Sequence, residues 1–340
     1  MSRRITFMQA VNEGLDMAMD KDDRVILLGE DLAGGTGIEH LNGEGAFGGV
    51  FGVTKGLVEK HGYERVIDTP ISEMGYMGAA VGAAATGLRP VPELMFNDFL
   101  GFCFDTLLAQ GSKMRYMFGG KATIPMTVRT CHGAGASAAA QHSGSYYGMF
   151  GSIPGLKVVV PSNPYDAKGL LLSAIEDDNI VIYSEDKTLY GLKDEVPEEY
   201  YKVEIGKAKV KREGSDLTIV TIGKMLYVAL DVAEELEKSG VSVEVIDLIT
   251  VAPWDQETVI NSVKKTGRLI VIDEANPHNN TATDIASVVG DKAFDYLDGP
   301  IKCICAPNTP VPFASNLEAL YLPNKDKVLE EAKELIEDLK

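Results

Sequence analysis

A two-domain α/β protein with a parallel sheet in each domain is the fold class this sequence predicts. Short apolar runs alternate with helix-length segments through both halves of the chain, the pattern of parallel strands covered on both faces. A polar stretch from Asp186 to Arg212, carrying Pro197, Tyr200 and Tyr201, interrupts the alternation and reads as a connection between domains. At 340 residues the chain also exceeds what one hydrophobic core usually holds. The expected division is a first α/β domain over 1–190, a linker over 191–212 and a second, smaller α/β domain over 213–340.

The elements follow in order. An amphipathic helix is predicted over Phe7 to Met19, then a strand from Val25 to Leu28. A glycine-rich stretch comes next, with Gly34, Gly35, Gly37, Gly43, Gly45, Gly48, Gly49 and Gly52. A strand at Arg65 to Ile67 turns into a helix of small residues over Met74 to Thr86. Val91 to Met95 reads as a strand and Asp98 to Met117 as one long helix. Strands are predicted at Met126 to Arg129, Lys157 to Val160 and Ile180 to Tyr183, with the helix Tyr165 to Glu176 between the last two. In the second half, strands at Leu217 to Ile222, Val243 to Asp247, Leu269 to Ile272 and Ile301 to Cys305 alternate with helices. Those helices are Met225 to Glu237, stopped by Gly240, then Gln256 to Lys264, Thr283 to Tyr296 and a charged helix Lys327 to Leu339.

The net charge of −18 argues against a nucleic-acid partner, because a phosphate backbone would be repelled. A hydrophobic content of 45% with 24% charged residues is the profile of a soluble globular protein. No 18-residue apolar stretch and no basic leader are visible, so no membrane is expected and the location expected is cytoplasmic. Cys103, Cys131, Cys303 and Cys305 show no zinc spacing and read as buried free thiols.

Glu73 is the first candidate for chemistry. It stands at the mouth of the small-residue helix, where Gly75, Gly78 and Gly82 share one face. Each glycine costs a helix interior about 1 kcal/mol against alanine, so three together imply close approach of another helix. A carboxylate there suits proton work; an exposed glutamate stabilised by the helix dipole is the plainer alternative. Gly133-Ala134-Gly135-Ala136-Ser137-Ala138 matches a dinucleotide-binding fingerprint, but it lies mid-domain and the next strand runs into Pro161-Ser162-Asn163-Pro164 rather than an acidic residue. His142, in a small and polar run leading to a helix, is either a general acid/base or a backbone-bonded histidine. His132 is a weaker candidate, His40 and His61 read as surface residues, and His278 as a loop residue. No Walker loop or metal cluster emerges, and Asp177-Asp178 reads as a solvated pair or a cation site.

Several collinear runs carry a family resemblance. They are Gly29-Glu30-Asp31, Asp68-Thr69-Pro70-Ile71-Ser72-Glu73, Ala140-Gln141-His142-Ser143, Pro154-Gly155-Leu156-Lys157-Val158-Val159 and Asp166-Ala167-Lys168-Gly169-Leu170. They continue through Val263-Lys264-Lys265-Thr266-Gly267-Arg268 to Thr309-Pro310-Val311-Pro312. Together they resemble the β subunit of the thiamine-diphosphate-dependent first component of 2-oxoacid dehydrogenase-type complexes. Glu93-Leu94-Met95-Phe96-Asn97-Asp98-Phe99, Tyr116-Met117-Phe118-Gly119-Gly120-Lys121 and Asp273-Glu274-Ala275-Asn276-Pro277 look most like the acetoin dehydrogenase branch.

The resemblance implies a thiamine-diphosphate pyrimidine-binding domain followed by a transketolase C-terminal-like domain. It implies that Glu73 hydrogen-bonds a ring nitrogen of the cofactor's aminopyrimidine, with Phe99 and Ile71 beside the ring. His142 matches a histidine implicated in proton transfer and in passing the acyl group to a lipoyl arm. Met126, Ala174, Ile175, Asp177 and Asn179 match positions around a monovalent cation such as potassium. The family's Gly-Asp-Gly diphosphate motif is absent: Gly290-Asp291-Lys292 lacks the second glycine. A separate α subunit is therefore expected to hold the diphosphate and magnesium in a heterotetramer of two α and two β chains. A lipoyl-bearing second component is the expected acceptor.

The chain departs from the family pattern at Gly144, at Tyr146-Tyr147-Gly148 and at Ile249. The expected reaction is acetoin cleavage with reductive acetylation of lipoyl groups. The alternatives are a pyruvate or branched-chain 2-oxoacid dehydrogenase β subunit, a non-catalytic scaffold subunit, and an NAD-binding oxidoreductase built on the Gly133 loop.

Overall fold

The computed structural model describes residues 2–34 and 48–337. The expected glycines at 35, 37, 43 and 45, with His40, lie outside the described residues. In chain order the elements are β1 (Ser2–Thr6), α1 (Phe7–Lys21), β2 (Val25–Gly29), α2 (Leu57–His61), β3 (Val66–Asp68), α3 (Glu73–Ala85), β4 (Arg89–Phe96), α4 (Ser112–Met117) and β5 (Thr127–His132). Next come α5 (Tyr147–Gly151), β6 (Lys157–Val159), α6 (Pro164–Glu176), β7 (Val181–Asp186), β8 (Lys193–Pro197), β9 (Lys209–Arg212), β10 (Leu217–Thr221), α7 (Met225–Glu237), β11 (Val243–Asp247) and β12 (Thr250–Ala252). The last are α8 (Gln256–Thr266), β13 (Leu269–Asp273), α9 (Thr281–Lys292), β14 (Lys302–Cys305), α10 (Ser315–Tyr321) and α11 (Lys325–Glu337).

The chain forms two compact units. The first takes in Met1–Cys131, Ser152–Glu185 and Leu189–Ile205; the second takes in His132–Gly151, Asp186–Thr188 and Gly206–Lys340. Residues 132–151 and 186–188, placed in the first domain on sequence, thus belong with the second unit.

In the first unit the strands run β6-β7-β5-β4-β2-β3. Pairing is parallel in β2–β3, β2–β4, β4–β5 and β6–β7. Every residue of β5 and β7 is buried, as strands covered on both faces must be. Helix α1 starts at a capping box between Thr6 and Gln9. It lies close on α6, where a Cβ on Gly14 would stand 3.2 Å from Leu171 Cδ2.

The second unit holds the sheet β14-β13-β10-β11-β9, parallel apart from β9, which runs antiparallel to β11. Leu217, Ile219, Val245, Ile270 and Ile272 meet Leu226 and Leu236 of α7 and Val328 and Leu335 of α11 in one core. Helix α8 begins at an Asp255 cap and stops at Gly267, whose φ is 71°.

Four expectations are corrected. The long helix from Asp98 does not form: a 3₁₀ turn spans Asn97–Gly101, and a π-helical turn at Thr106–Gly111 leads into α4. Gly101 weakens the helix there, and i→i+3 bonds from Phe102 N to Phe99 O and Cys103 N to Leu100 O tighten the chain instead. The stretch at 191–212 carries two strands, β8 paired antiparallel with β1 and β9 paired with β11. Cys303 is exposed, although all four cysteines are free. His61 is no surface residue: its side chain is 4% exposed and its Nε2 lies 2.7 Å from Asp16 Oδ1.

Fully buried Lys168 ties the stretch after β8 to α6. Its ammonium donates to Glu13 Oε1 at 2.6 Å and to the carbonyls of Pro197 and Glu199 at 2.6 and 3.0 Å. Tyr201 then stacks on Tyr165, with ring centroids 4.6 Å apart. Among the described residues, no helix is long and apolar enough to cross a membrane.

Candidate active site

Glu73 opens α3 directly after the β3 turn and is half-buried. The turn is fixed at both ends: Thr69 N donates to Gly29 O at 2.9 Å, and Asp68 Oδ1 accepts from Ala33 N at 2.7 Å. Helix α3 buries Tyr76, Met77, Ala80, Val81 and Ala84. Its other face leaves Gly75, Gly78, Ala79 and Gly82 exposed, and a Cβ on Gly78 or Gly82 would meet nothing within 4 Å.

Around Glu73 stand Glu30, Tyr76 and Cys103, which the sequence reading did not single out as a group. Burial, and then the negative charges of Glu73, Asp31 and Glu93, push the Glu30 carboxyl above its ordinary range. Burial also raises the Tyr76 phenol, with the Glu30 charge adding to it. The Cys103 thiol is pushed up to about 12 by burial and by Glu73. Like charges crowded under apolar cover favour the protonated form of a carboxyl, which here is that of Glu30. Glu30 Oε1 and the Tyr76 hydroxyl are buried and make no hydrogen bond among the described residues. Such a pair fits the polar edge of a heterocycle, the test that the pyrimidine of thiamine diphosphate has to pass.

Ile71 is 81% exposed beside this corner, an apolar side chain with nothing yet over it. Phe99 is half-buried on the 3₁₀ turn, edge-on to Phe96 at 5.7 Å and tilted against Phe102 at 6.2 Å. A cavity of about 870 Å³ in the same unit, lined by Tyr116, Ile124, Gly155 and Ile180, takes in none of Ile71, Glu73 and Phe99.

The five cation positions gather at the C-terminal end of α6. The Ala174 carbonyl accepts from Asp177 N at 3.2 Å, and the Met126 carbonyl from Val181 N at 2.9 Å. Asp177 Oδ1 accepts from the backbone and side-chain nitrogens of Asn179, both at 2.9 Å. Burial works to raise the Asp177 carboxyl, but Lys157 and Asn179 outweigh it and hold it low. Carbonyls at a helix C-terminus suit a cation. Arg89 already brings one to this place, donating to Ile175 O at 3.0 Å and Asp177 O at 3.1 Å.

His142 belongs to the second unit and is half-buried on the loop between β5 and α5. The Gly133 stretch that resembles a dinucleotide fingerprint is an anion nest closed by the chain itself. Gly135 N and Ser137 N donate to the two carboxylate oxygens of Glu318, at 2.6 and 2.9 Å. These amides are engaged by an internal carboxylate, which a bound phosphate would have to displace.

Beneath the loop, His132, Asp186, Glu274, Tyr147 and Asp273 are buried together, with Lys224 half-buried against them. Burial lowers the His132 imidazole, against the pull of Glu274 and Asp186. Burial alone would lower Lys224, but Asp186 and Glu274 raise it. Burial pushes the Asp273 carboxyl up to about 6, although Tyr147 donates to it. His132, Asp186 and Glu274 have the donor set of a metal site, as do Asp16, Asp20 and His61. In both, a lysine ammonium is the resident cation. Lys224 lies 2.7 Å from Glu274 and 3.3 Å from Asp186; Lys60 lies 2.8 and 2.7 Å from Asp16 and Asp20.

Two of the departures from the family pattern, Gly144 and Tyr146, line a cavity of about 380 Å³ with Ala140, Asn276, Thr309 and Tyr321.

Residues 3–193 match the family described as "Transketolase, pyrimidine binding domain", and residues 206–328 match "Transketolase, C-terminal domain". The chain is 58% identical over 336 residues to the acetoin:2,6-dichlorophenolindophenol oxidoreductase subunit beta of Bacillus subtilis, covering 99% of this chain and 98% of that one. It is 51% identical to the protein of the same description from Cupriavidus necator, covering 96% of each. Identity to the pyruvate dehydrogenase E1 component subunit beta of Bacillus subtilis is 43% over 335 residues, covering 98% and 99%. Among solved structures, a split-gene transketolase in an inactive β4 tetramer superposes with a TM-score of 0.75 at 20% identity, covering 98% of each chain, which shows a shared fold.

Proposed function

Because this chain belongs to the family of β subunits of thiamine-diphosphate-dependent dehydrogenase first components, we propose that it is the β subunit of an acetoin dehydrogenase first component. Its reaction is the cleavage of acetoin and the reductive acetylation of lipoyl groups on a second component, in the cytoplasm. Identity of 58% to an acetoin oxidoreductase β subunit, against 43% to a pyruvate dehydrogenase β subunit, supports the substrate. The single observation that carries the site is Glu73 at the mouth of α3, beside Glu30, Tyr76 and Cys103, whose acidic groups burial pushes up.

Thiamine diphosphate, when bound, supplies the nucleophilic carbon. The chain's own part is orientation and proton control. Glu73 would hydrogen-bond a ring nitrogen of the pyrimidine, beside Glu30, whose carboxyl burial and neighbouring charges push up. Phe99 and Ile71 give the apolar walls that exclude water from the ring. His142 moves a proton where the two-carbon unit passes to the lipoyl arm. The α subunit holds the diphosphate and magnesium, because this sequence has no Gly-Asp-Gly motif. The carbonyls at the end of α6, with that of Met126, would hold a monovalent cation such as potassium beside Arg89, which already donates to two of them.

The test is turnover of acetoin and of pyruvate with thiamine diphosphate, magnesium and an artificial electron acceptor. The chain is assayed alone and co-expressed with an α subunit carrying the Gly-Asp-Gly motif. Activity on acetoin in the pair only is the expected result. Activity on pyruvate instead keeps the mechanism and removes the substrate assignment. An inactive pair removes the reading.

A further inference from the structure

The loop from Gly133 to His142 is gripped at its backbone by three charged side chains from distant parts of the second unit. Lys187, 8% exposed, donates its ammonium to the Gly133 carbonyl and, at 2.9 Å, to the carbonyl of His142 itself. Lys224 donates to the Ala134 carbonyl. Glu318, 2% exposed, accepts from Gly135 N and Ser137 N.

Buried charges are costly unless paired, and irregular backbone is ordinarily satisfied by neutral side chains or water. Two buried charges and a half-buried third on one loop therefore call for a reason beyond closing a connection. The loop is also held out of its relaxed shape: Ser137 and Ala139, neither a glycine, sit at φ of 52° and 62°. Gly133 is hemmed in as well, since a Cβ there would stand 2.9 Å from Glu274 Oε1. A shape imposed this firmly has one chemistry-bearing side chain at its end, His142.

We propose that Lys187 and Glu318 are positioning residues that fix where the His142 imidazole stands. This rests on the role proposed for His142 in proton transfer. Lys187 acts at the histidine's own peptide group, and Glu318 acts on the turn that delivers it. Neither touches substrate.

The experiment is a double-mutant cycle in the assembled α/β enzyme, reading acetoin-dependent reduction of a lipoylated domain. The variants are His142→Ala, Lys187→Met and Glu318→Gln, then Lys187→Met and Glu318→Gln each combined with His142→Ala. A displacement of about 1 Å can cost on the order of 100-fold in rate, so each positioning variant is expected to lose roughly 10- to 100-fold in kcat. The KM for acetoin stays unchanged. Added to His142→Ala, neither change lowers kcat further. Multiplicative losses in the doubles, or single variants with wild-type kcat, overturn the proposal. Wild-type turnover by His142→Ala alone removes the role of the histidine, a failure the single variant identifies by itself. If Lys187→Met does not assemble, Glu318→Gln, which preserves side-chain volume, carries the same cycle. Failure of both to assemble marks the clamp as structural and overturns the proposal.

Discussion

Arg129 holds Glu185 in a two-pronged grip, Nε on Oε1 at 2.8 Å and an Nη on Oε2 at 3.1 Å, with all four atoms buried in the first sheet. A second Nη of the same guanidinium donates to Glu93, so one cation on β5 answers two carboxylates on β4 and β7, the strands either side of it. Burial pushes Glu185 up to about 7 even with Arg129 pulling it down. Removing one partner of such a network strands the others without a counter-charge. Arg129→Met is expected to destabilise the first unit by about 3–5 kcal/mol, read as the urea midpoint of the purified chain. A loss under about 1 kcal/mol would show that the network carries little of the fold.

Glu73→Gln keeps the shape of the helix mouth and removes the acid. Turnover of acetoin by the α/β pair should fall by roughly 10²- to 10⁴-fold, the range of general acid–base contributions. Co-purification with the α subunit should be unaffected. An active Glu73→Gln pair would favour the scaffold alternative.

Gly78→Leu tests the bare face of α3. Nothing lies within 4 Å of an added Cβ, so the lone chain should tolerate the change, and removing a helix glycine should stabilise it by up to about 1 kcal/mol. The prediction is a chain that folds normally and no longer captures the α subunit on an affinity column. Normal capture would place the subunit contact elsewhere.

Asp273 sets a pH dependence of stability. Its folded value of about 6 lies above the ordinary 3.8, so the folded state binds the extra proton between those values. The stability this contributes is complete below pH 3.8 and is lost as pH rises through about 6, amounting to no more than about 3 kcal/mol. Asp273→Asn keeps an acceptor for Tyr147 and should flatten this part of the stability–pH curve. Melting temperatures from pH 4 to 7 compare the two, and parallel curves would refute the assignment.

Periodicity made much of this legible. Helix α7 spans the expected Met225–Glu237 because its apolar positions recur at helical spacing up to the Gly240 stop. Strands β10, β11 and β13 stood out as continuous apolar runs because both their faces are buried. Strands β1, β8 and β9 did not, because edge strands carry charged residues that read as loop. Glu73 and His142 were visible as polar residues in small-residue surroundings, whereas Phe99 and Ile71 came from the family resemblance. Glu30 and Cys103 lie far from Glu73 in the chain, as Lys187 and Glu318 do from His142, and Tyr76, one helical turn from Glu73, reads on its own as an apolar-face residue of α3. No local pattern announces them; their meaning is created when the strands pair.

The pairing of β1 with β8 has a temporal side. The Arg4 guanidinium donates to the carbonyl of Lys193, 189 residues further on. At roughly 5–20 residues per second, a ribosome needs on the order of 10 to 40 seconds to make that length of chain. Throughout that interval β1 has no partner to dock on, so the first unit closes only after its last strand has emerged. A nascent chain halted before Lys193 should therefore leave its opening residues open to protease, whatever sheet has already formed behind them.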